Sequence, residues 1–189
     1  LLASVMYSHS SDGTGLAGIA LNGNTAAKRI DPNVILPTGV WQYAHDMHPV
    51  QRANTLIASL RSDVSIGGGK WTVLGAYRRN RVQIYSDADY SPIVIQEFHL
   101  TVPSESYSAE TYYVSPQWGP LSIIAGANYY HANERYEPLD RSLRPVISAL
   151  VDPFKLYVFG QQITRSAAVY AEATIDITDH FKIVGGGRY

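Results

Sequence analysis

The last stretch of the sequence, SAAVYAEATIDITDHFKIVGGGRY (Ser166–Tyr189), alternates between apolar and polar residues. Such alternation places successive side chains on opposite faces of a β-strand. Tyr170, Glu172 and Asp176 fall on the polar face of the first strand. Its other face consists of small or apolar residues, namely Ala167, Val169, Ala171, Ala173, Ile175 and Ile177. The sequence around 178–180 then predicts a tight turn, after which Phe181–Tyr189 returns as a second strand.

Two hairpins earlier in the chain show the same alternation. In the first, Leu56–Ile66 and Lys70–Ile84 flank three glycines at 67–69, where glycine supplies the positive φ angles that tight turns need. In the second, strands beginning at Tyr107 and Leu121 flank a turn at 116–120. With Leu1–Ser10 as an opening strand, the sequence predicts about seven antiparallel strands in an up-and-down meander.

The predicted connections alternate between short and long. Short reversals lie at 67–69, 116–120 and 178–180, whereas long connections rich in Pro, Asn, Asp and Gly lie at 11–52, 85–105 and 136–164. Compact soluble domains rarely carry several structureless loops longer than ~12–15 residues. Transmembrane barrels combine short periplasmic turns with long extracellular loops. The pattern predicts an all-β fold, a partial transmembrane β-barrel with long outer loops, in which residues 1–189 form one region.

The composition narrows the functional classes. Hydrophobic residues make up 46% of the chain, yet none of their runs approaches the ~18 residues of a spanning helix. The net charge of −1 removes the electrostatic basis for binding nucleic acid. The absence of cysteine excludes disulfides, thiolate metal sites and cysteine nucleophiles. Fourteen tyrosines against four phenylalanines favour a surface that is apolar in the middle and wet at its margins.

Two of these hairpins resemble a known family. Ser166–Tyr189 closely resembles a hairpin that recurs in the barrels of TonB-dependent outer-membrane receptors, where an alternating strand ends in a Thr-Asp turn and returns to Arg-Tyr. YSAETYYVSPQWGPLSIIAGANYYHANER (Tyr107–Arg135) is similar to another hairpin of that family, through its Glu, its Ser-Pro turn and its Ala-Gly-x-Tyr-Tyr return strand. Asn54–Ile84 fits the family pattern more loosely.

The resemblance implies that the chain is an internal segment of a plugged, 22-stranded transporter barrel. Its start, LLASVMYSHS, has no initiator Met and no basic n-region, so it is not expected to be a signal peptide. The segment would supply barrel wall and extracellular loops, without the plug domain, without a cofactor and without catalysis. The parent would import a scarce nutrient, such as siderophore-bound iron, across the outer membrane of a Gram-negative bacterium. Its partners would be outer-membrane lipid and lipopolysaccharide, the remaining strands and plug, the nutrient and the TonB-type energy complex.

Two sets of residues follow from the predicted faces. The polar face is expected to line the lumen with Arg61, Asp63, Arg78, Glu110, Glu172, Asp176 and Arg188. These residues either guide substrate and hold the plug, or simply form the polar wall that a wet lumen requires. The aromatic residues expected at the membrane interfaces are Trp71, Tyr77, Tyr107, Tyr113, Trp118 and Tyr129. The alternative for them is cross-strand packing in a soluble sheet.

Other motifs have weaker functional readings. Arg78–Arg81, expected near the outer end of its strand, either pairs with anionic lipopolysaccharide or is a solvated strand end. His45–His48 invites a metal site but is expected to be an ordinary solvated loop. The glycines before Lys70 lack the spacing of a phosphate-binding loop. Two rival classes remain, a soluble β-sandwich binding module such as a carbohydrate binder, and an outer-membrane barrel enzyme with catalytic side chains gathered at its rim.

Overall fold

A computed structural model describes residues 1–13, 25–143 and 154–189. In these ranges the chain forms one antiparallel sheet of seven strands, each paired with its neighbours in the chain. The strands are β1 (Leu2–Asp12), β2 (Val50–Ile66), β3 (Gly69–Asp87), β4 (Gln96–Val114), β5 (Leu121–Leu143), β6 (Phe154–Thr178) and β7 (Phe181–Arg188), with a short helix α1 (Thr25–Ile30) between β1 and β2. The predicted all-β class and seven-stranded meander are confirmed, and β1 and β7 leave the sheet open at both edges.

Glycine closes the hairpin between β2 and β3. Gly67 and Gly68 have φ angles of 60° and 78°, the left-handed conformation required by a two-residue hairpin turn. The reversal around Asp179 joins β6 to β7 just as tightly, and 115–120 joins β4 to β5. We refer to this end of the sheet as the turn end and to the opposite end as the loop end.

The predicted connections at 85–105 and 136–164 are wrong, because most of their residues belong to strands. β3 continues to Asp87 and β4 begins at Gln96, so that only 88–95 join them. β5 continues to Leu143 and β6 begins at Phe154. The connection predicted at 11–52 contains α1 and is flanked by strand residues at both ends. Residues 14–24 and 144–153 of these predicted loops lie outside the described residues.

A bulge in β5 explains why these strands looked like loops. The β4–β5 ladder is interrupted between His99 and Ser104, and the β5–β6 ladder between Tyr136 and Leu139. Across each gap β5 contains one residue more than its neighbour, which defines a β-bulge. Pro138 lies within it, and proline, which cannot donate to a ladder, is tolerated at bulges. Beyond the bulge, the residues of β5 that share a face change parity.

The pairing register gives the sheet two common faces. Leu60, Gly75 and Ala109 are direct cross-strand neighbours on one face. Arg61 and Glu110 lie on the other, in line through the residue between them on β3. Side chains on one face of paired strands contact one another, so each face acts as a single surface.

The sheet is curved toward the face that carries Arg61 and Glu110. A trough of about 650 Å³ on this side is lined from Leu2 on β1 to Arg188 on β7, the first and last strands. Two edge strands reach one trough only if the sheet curls around it. We therefore term this side the concave face and the opposite side the convex face.

The convex face has no covering layer in the described part of the chain. Leu60, Val169 and Ile183 on this face are 51%, 59% and 50% exposed. The buried apolar cluster is small and lies beside α1 instead, where Ala27, Ile30, Val34 and Ile95 pack together. Removing apolar surface from water is favourable by roughly 25 cal/mol per Å². Contact with an apolar layer would therefore stabilise the convex face.

One prediction tests the tight packing on the concave face. A Cβ added at Gly126 would lie 2.7 Å from the backbone oxygen of Thr111 and 2.7 Å from Cζ of Tyr170. Gly126→Ala should therefore lower the free energy of unfolding by about 1–3 kcal/mol through overpacking. Gly75→Ala is the matched control, because a Cβ there meets nothing within 4 Å. Denaturant unfolding of both variants measures the difference, and equal stabilities would refute the packing.

Candidate functional site

The turn-end half of the convex face is a continuous apolar band. From β1 to β7 it carries no charged residue. Its members include Val5, Leu56, Ala58, Leu60, Val73, Ala109, Ile123, Ala125, Ala127, Val169, Ala171, Ala173 and Ile183. Several adjacent strands thus present one apolar surface, far larger than the scattered apolar residues usual on a soluble monomer.

Aromatic residues lie at both margins of the band. Trp71 and Tyr113 are opposite each other toward the turn end, and Tyr77 and Tyr107 are opposite each other toward the loop end. The ring of Tyr107 stacks on that of Tyr129 at a centroid distance of 6.1 Å. These five predicted aromatic residues share the convex face and lie at the two margins of the apolar band.

The polar atoms of these aromatic residues are satisfied along the sheet. The indole Nε1 of Trp71 donates to Oγ1 of Thr111 at 2.6 Å, and the hydroxyl of Tyr113 donates to the carbonyl oxygen of Ile66 at 3.0 Å. Trp118, the sixth predicted aromatic residue, lies in the turn between β4 and β5, where it bridges to Leu121.

A charged belt follows the aromatic row toward the loop end. Nε of Arg79 lies 3.6 Å from Glu105, and Glu137 accepts ion pairs from Arg81 at 3.0 Å and from Arg135 at 3.1 Å. These five residues are partly exposed, and such pairs contribute only ~0–1 kcal/mol each. The belt therefore marks the loop-end margin of the apolar band.

The predicted position of the basic run is corrected by this arrangement. Arg78–Arg81 lies in the middle of β3 and not near its outer end, because β3 continues to Asp87. Arg79 and Arg81 point to the convex side, whereas Arg78 lies on the concave side with the residues of the trough.

All seven residues predicted to line a lumen lie on the concave face. The pairing register aligns them across β2, β3, β4, β6 and β7 as Arg61, Asp63, Arg78, Glu110, Glu172, Asp176 and Arg188. The sequence therefore assigned every one of them to the same side.

Side chains on the concave face reach across strands that are not adjacent. The hydroxyl of Tyr170 on β6 donates to Oε1 of Glu110 on β4 at 2.8 Å, passing over Gly126 on β5. Nη2 of Arg188 on β7 donates to Oδ1 of Asn128 on β5 at 3.3 Å. Such links over an intervening strand stabilise the curvature, and they leave a polar inner wall.

Beyond the charged belt the polarity of the two faces is reversed. The concave face there carries Val82, Ile84, Phe98, Leu100, Val102, Leu139, Leu156 and Val158. The convex face at the same level carries polar residues such as Gln83, His99 and Lys155. Sequence reasoning missed this reversal, although the alternation of Phe98, Leu100 and Val102 signals it.

A second cavity lies within this apolar part of the concave face. It has a volume of about 400 Å³ and is lined by Ala88, Gln96, Phe98, Leu100, Tyr136, Leu139 and Arg141. We term it the loop-end pocket. Sequence reasoning placed much of its lining in loops and therefore did not identify it.

The loop expected to be solvated at His45–His48 is instead anchored to the end of β3. The His45 side chain is only 6% exposed, and its Nδ1 lies 3.2 Å from Oδ2 of the fully buried Asp87. Oδ1 of Asp87 accepts hydrogen bonds from the backbone nitrogens of Asp89 and Tyr90, both at 2.9 Å. Among the described residues, no group of three or more His, Asp or Glu side chains is arranged to hold a metal ion.

Asp46 lies in the same buried corner. Burial, together with the nearby charges of Asp87, Glu97 and Asp89, raises the pKa of its carboxyl to about 7. Both carboxylate oxygens are shielded from solvent, and neither has a hydrogen-bond partner in the part of the chain that the structure describes. The neutral acid is therefore the form that suits the docked loop.

The attachment of this loop should depend on pH. Because the folded pKa of Asp46 lies above its unfolded value of 3.8, the stabilisation is complete below pH ~4 and is lost as the pH rises through about 7. We expect proteolytic cleavage within 43–49 to be several-fold faster at pH 8.5 than at pH 6. Asp46→Asn should flatten this dependence, whereas Asp31→Asn, on an exposed turn, should leave it in place. Identical pH profiles for Asp46→Asn and the unmodified protein would rule out this role.

No family model, curated protein or solved structure matches the chain. Among the helical residues that the structure describes, no helix is long and apolar enough to span a membrane.

Proposed function

We propose that this chain forms part of the wall and the outer loops of a TonB-dependent receptor, which imports a scarce nutrient through the outer membrane of a Gram-negative bacterium. The observation that carries the proposal is the sidedness of the sheet. The apolar band lies uncovered on the convex face, whereas the charged residues at the level of this band, among them Arg61, Glu110 and Arg188, lie on the concave face. Transmembrane barrels have this distribution, with lipid outside and a polar interior.

The course of the apolar band across the strands supports a tilted barrel wall. The band extends to Leu56 on β2, which is in line with the charged Arg79 on β3. On β6 the band ends at Ala167. The next convex residue of β6 is the charged Arg165, which lies at the level of Tyr107, a residue still within the band on β4. The margin therefore moves toward the turn end by about one residue per strand, the stagger expected for strands tilted ~35–45°.

Strand length supports the same placement. The five central strands contain 17, 19, 19, 23 and 25 residues, whereas ~9–11 residues cross a bilayer. The strands therefore continue well beyond the hydrocarbon on the loop side. The charged belt would lie at the level of the lipopolysaccharide phosphates, where Arg79, Arg81 and Arg135 provide cationic contacts.

The remaining parts of the receptor would use the open edges and the concave wall. β1 and β7 are each paired on one side only, and an unpaired edge is a template for another strand. The next strands of the parent barrel would pair there. The plug would contact the concave face, where Glu172 and Arg78 form no ion pair with another described side chain.

A soluble β-sandwich fits the geometry less well. A sandwich buries its apolar face against a second sheet about 10 Å away. The described residues form one sheet, and the apolar band is its exposed side. Strands of 17 to 25 residues also exceed the ~5–6 residues typical of soluble sheets.

Lipid contact can be tested with a pair of adjacent residues. The chain contains no cysteine, so that Ala171→Cys and Glu172→Cys give single labelling sites on the convex and the concave face. An environment-sensitive fluorophore at 171 should be quenched by spin-labelled lipid acyl chains, because it lies in hydrocarbon. The same label at 172 should respond to aqueous iodide instead. The opposite pattern, or equal quenching at both sites, would exclude a barrel wall with lipid on its convex side.

Transport itself is tested in the natural host. Deletion of the gene should abolish uptake of one nutrient from a panel of ferric siderophores, cobalamin and oligosaccharides, measured with radiolabelled compounds. Loss of TonB should give the same defect for that nutrient, since import is expected to need the energy complex. A defect that appears on gene deletion but not on loss of TonB would contradict a TonB-dependent receptor.

A further inference from the structure

We propose that the loop-end pocket binds a small organic carboxylate with an apolar body, and that Arg141 supplies the positive charge. The proposal rests on the proposed function for the source of the ligand, the imported nutrient or a part of it. The pocket lies on the concave face beyond the charged belt, on the way from the loop end to the trough.

Arg141 lies between apolar side chains and forms no ion pair with any other described residue. It is opposite Phe98 on β4 and opposite Leu156 on β6. Its Nε is shielded from solvent and has no hydrogen-bond partner within residues 1–13, 25–143 and 154–189. The adjacent carboxylate, Asp140, lies on the convex face, where Lys155 is 3.9 Å away.

The bulge in β5 is what turns this arginine inward. Because β5 has one extra residue between Tyr136 and Leu139, both Leu139 and Arg141 share the concave face with Tyr136. Without the extra residue, Arg141 would join the polar convex side. A bulge that aims a side chain in this way is a common feature next to binding sites.

The charge state of Arg141 points to an anion. A guanidinium remains protonated in proteins, and an isolated charge in an apolar setting is strongly unfavourable unless a partner compensates it. Its planar fork binds carboxylates through two parallel hydrogen bonds. An anionic group in the pocket would therefore compensate the charge of Arg141 and accept the hydrogen bond that its Nε leaves open among the described residues.

The remaining lining selects the apolar body of the ligand. Phe98, Leu100 and Leu139 are apolar, and Tyr136 adds a second ring whose edge packs over Gly160. A volume of about 400 Å³ lies in the ~300–1,000 Å³ range of small-molecule sites. The amide of Gln96 offers one further hydrogen bond at the rim. An aromatic or aliphatic carboxylate fits these properties better than a sugar or an inorganic anion.

Calorimetric titration of the natural protein in detergent tests the proposal with three probes. We expect 2-naphthoate to bind, its neutral isostere 2-naphthamide to bind at least tenfold more weakly, and acetate to show no binding. The three probes separate the contribution of the charge from that of the apolar body. Equal affinity for naphthoate and naphthamide would overturn the role of the charge.

Two matched variants locate the site. Arg141→Gln should reduce the affinity for naphthoate at least tenfold and leave that for naphthamide within twofold, which also shows that the pocket is intact. Arg135→Gln, on the charged belt of the opposite face, should leave both unchanged. Naphthoate binding that survives Arg141→Gln would refute the site. Failure here with lipid contact at position 171 would overturn only this inference, whereas binding without lipid contact would overturn only the receptor.

Discussion

The structure depends on the antiparallel register of its six ladders, which is continuous except at the bulge in β5 and beside the turn from β6 to β7. Because side chains of a strand alternate between two sides, a fixed register converts seven local alternations into two continuous surfaces. A slip of one residue in any ladder would move a whole strand's apolar residues to the other side. The tight reversals at Gly67-Gly68 and Asp179 hold the register at one end, and links such as Tyr170 to Glu110 hold it across the inner surface.

Along each long strand, the type of residue found on a given face changes between the turn end and the loop end. On β3, the odd-numbered residues from Trp71 to Tyr77 contribute to the apolar band of the convex face. Arg79 and Arg81 add charges to the same face, and Val82 and Ile84 place apolar side chains on the concave face. Neighbouring strands make the same transition at nearly the same level. The aromatic residues, the charged belt and the reversal of polarity therefore follow one another in the same order on separate strands.

The sequence was sufficient for the parts governed by local alternation. The alternation in Ala167–Ile177 and the glycines at 67–69 each indicate the hairpin to which they belong. All seven candidates for the lumen also share one face, as their alternation predicted. It was insufficient where long-range pairing overrides local composition. Pro103 and Pro138 suggested loops, yet the sheet accommodates them next to the interruptions in the β5 ladders. The burial of His45 against Asp87 also depends on residues 42 positions apart, which no local pattern encodes.

The single extra residue in β5 shifts which of the following residues face the concave side and which face the convex side. Every residue that follows it in the strand lies on the opposite face from the one that simple alternation would give it. A related chain without Pro138 or its neighbour could keep nearly the same amino acids and yet present a different inner surface. Insertion or deletion of a single residue would then change which side chains line the concave face at the loop end, and so alter what this end of the sheet recognises, without any substitution.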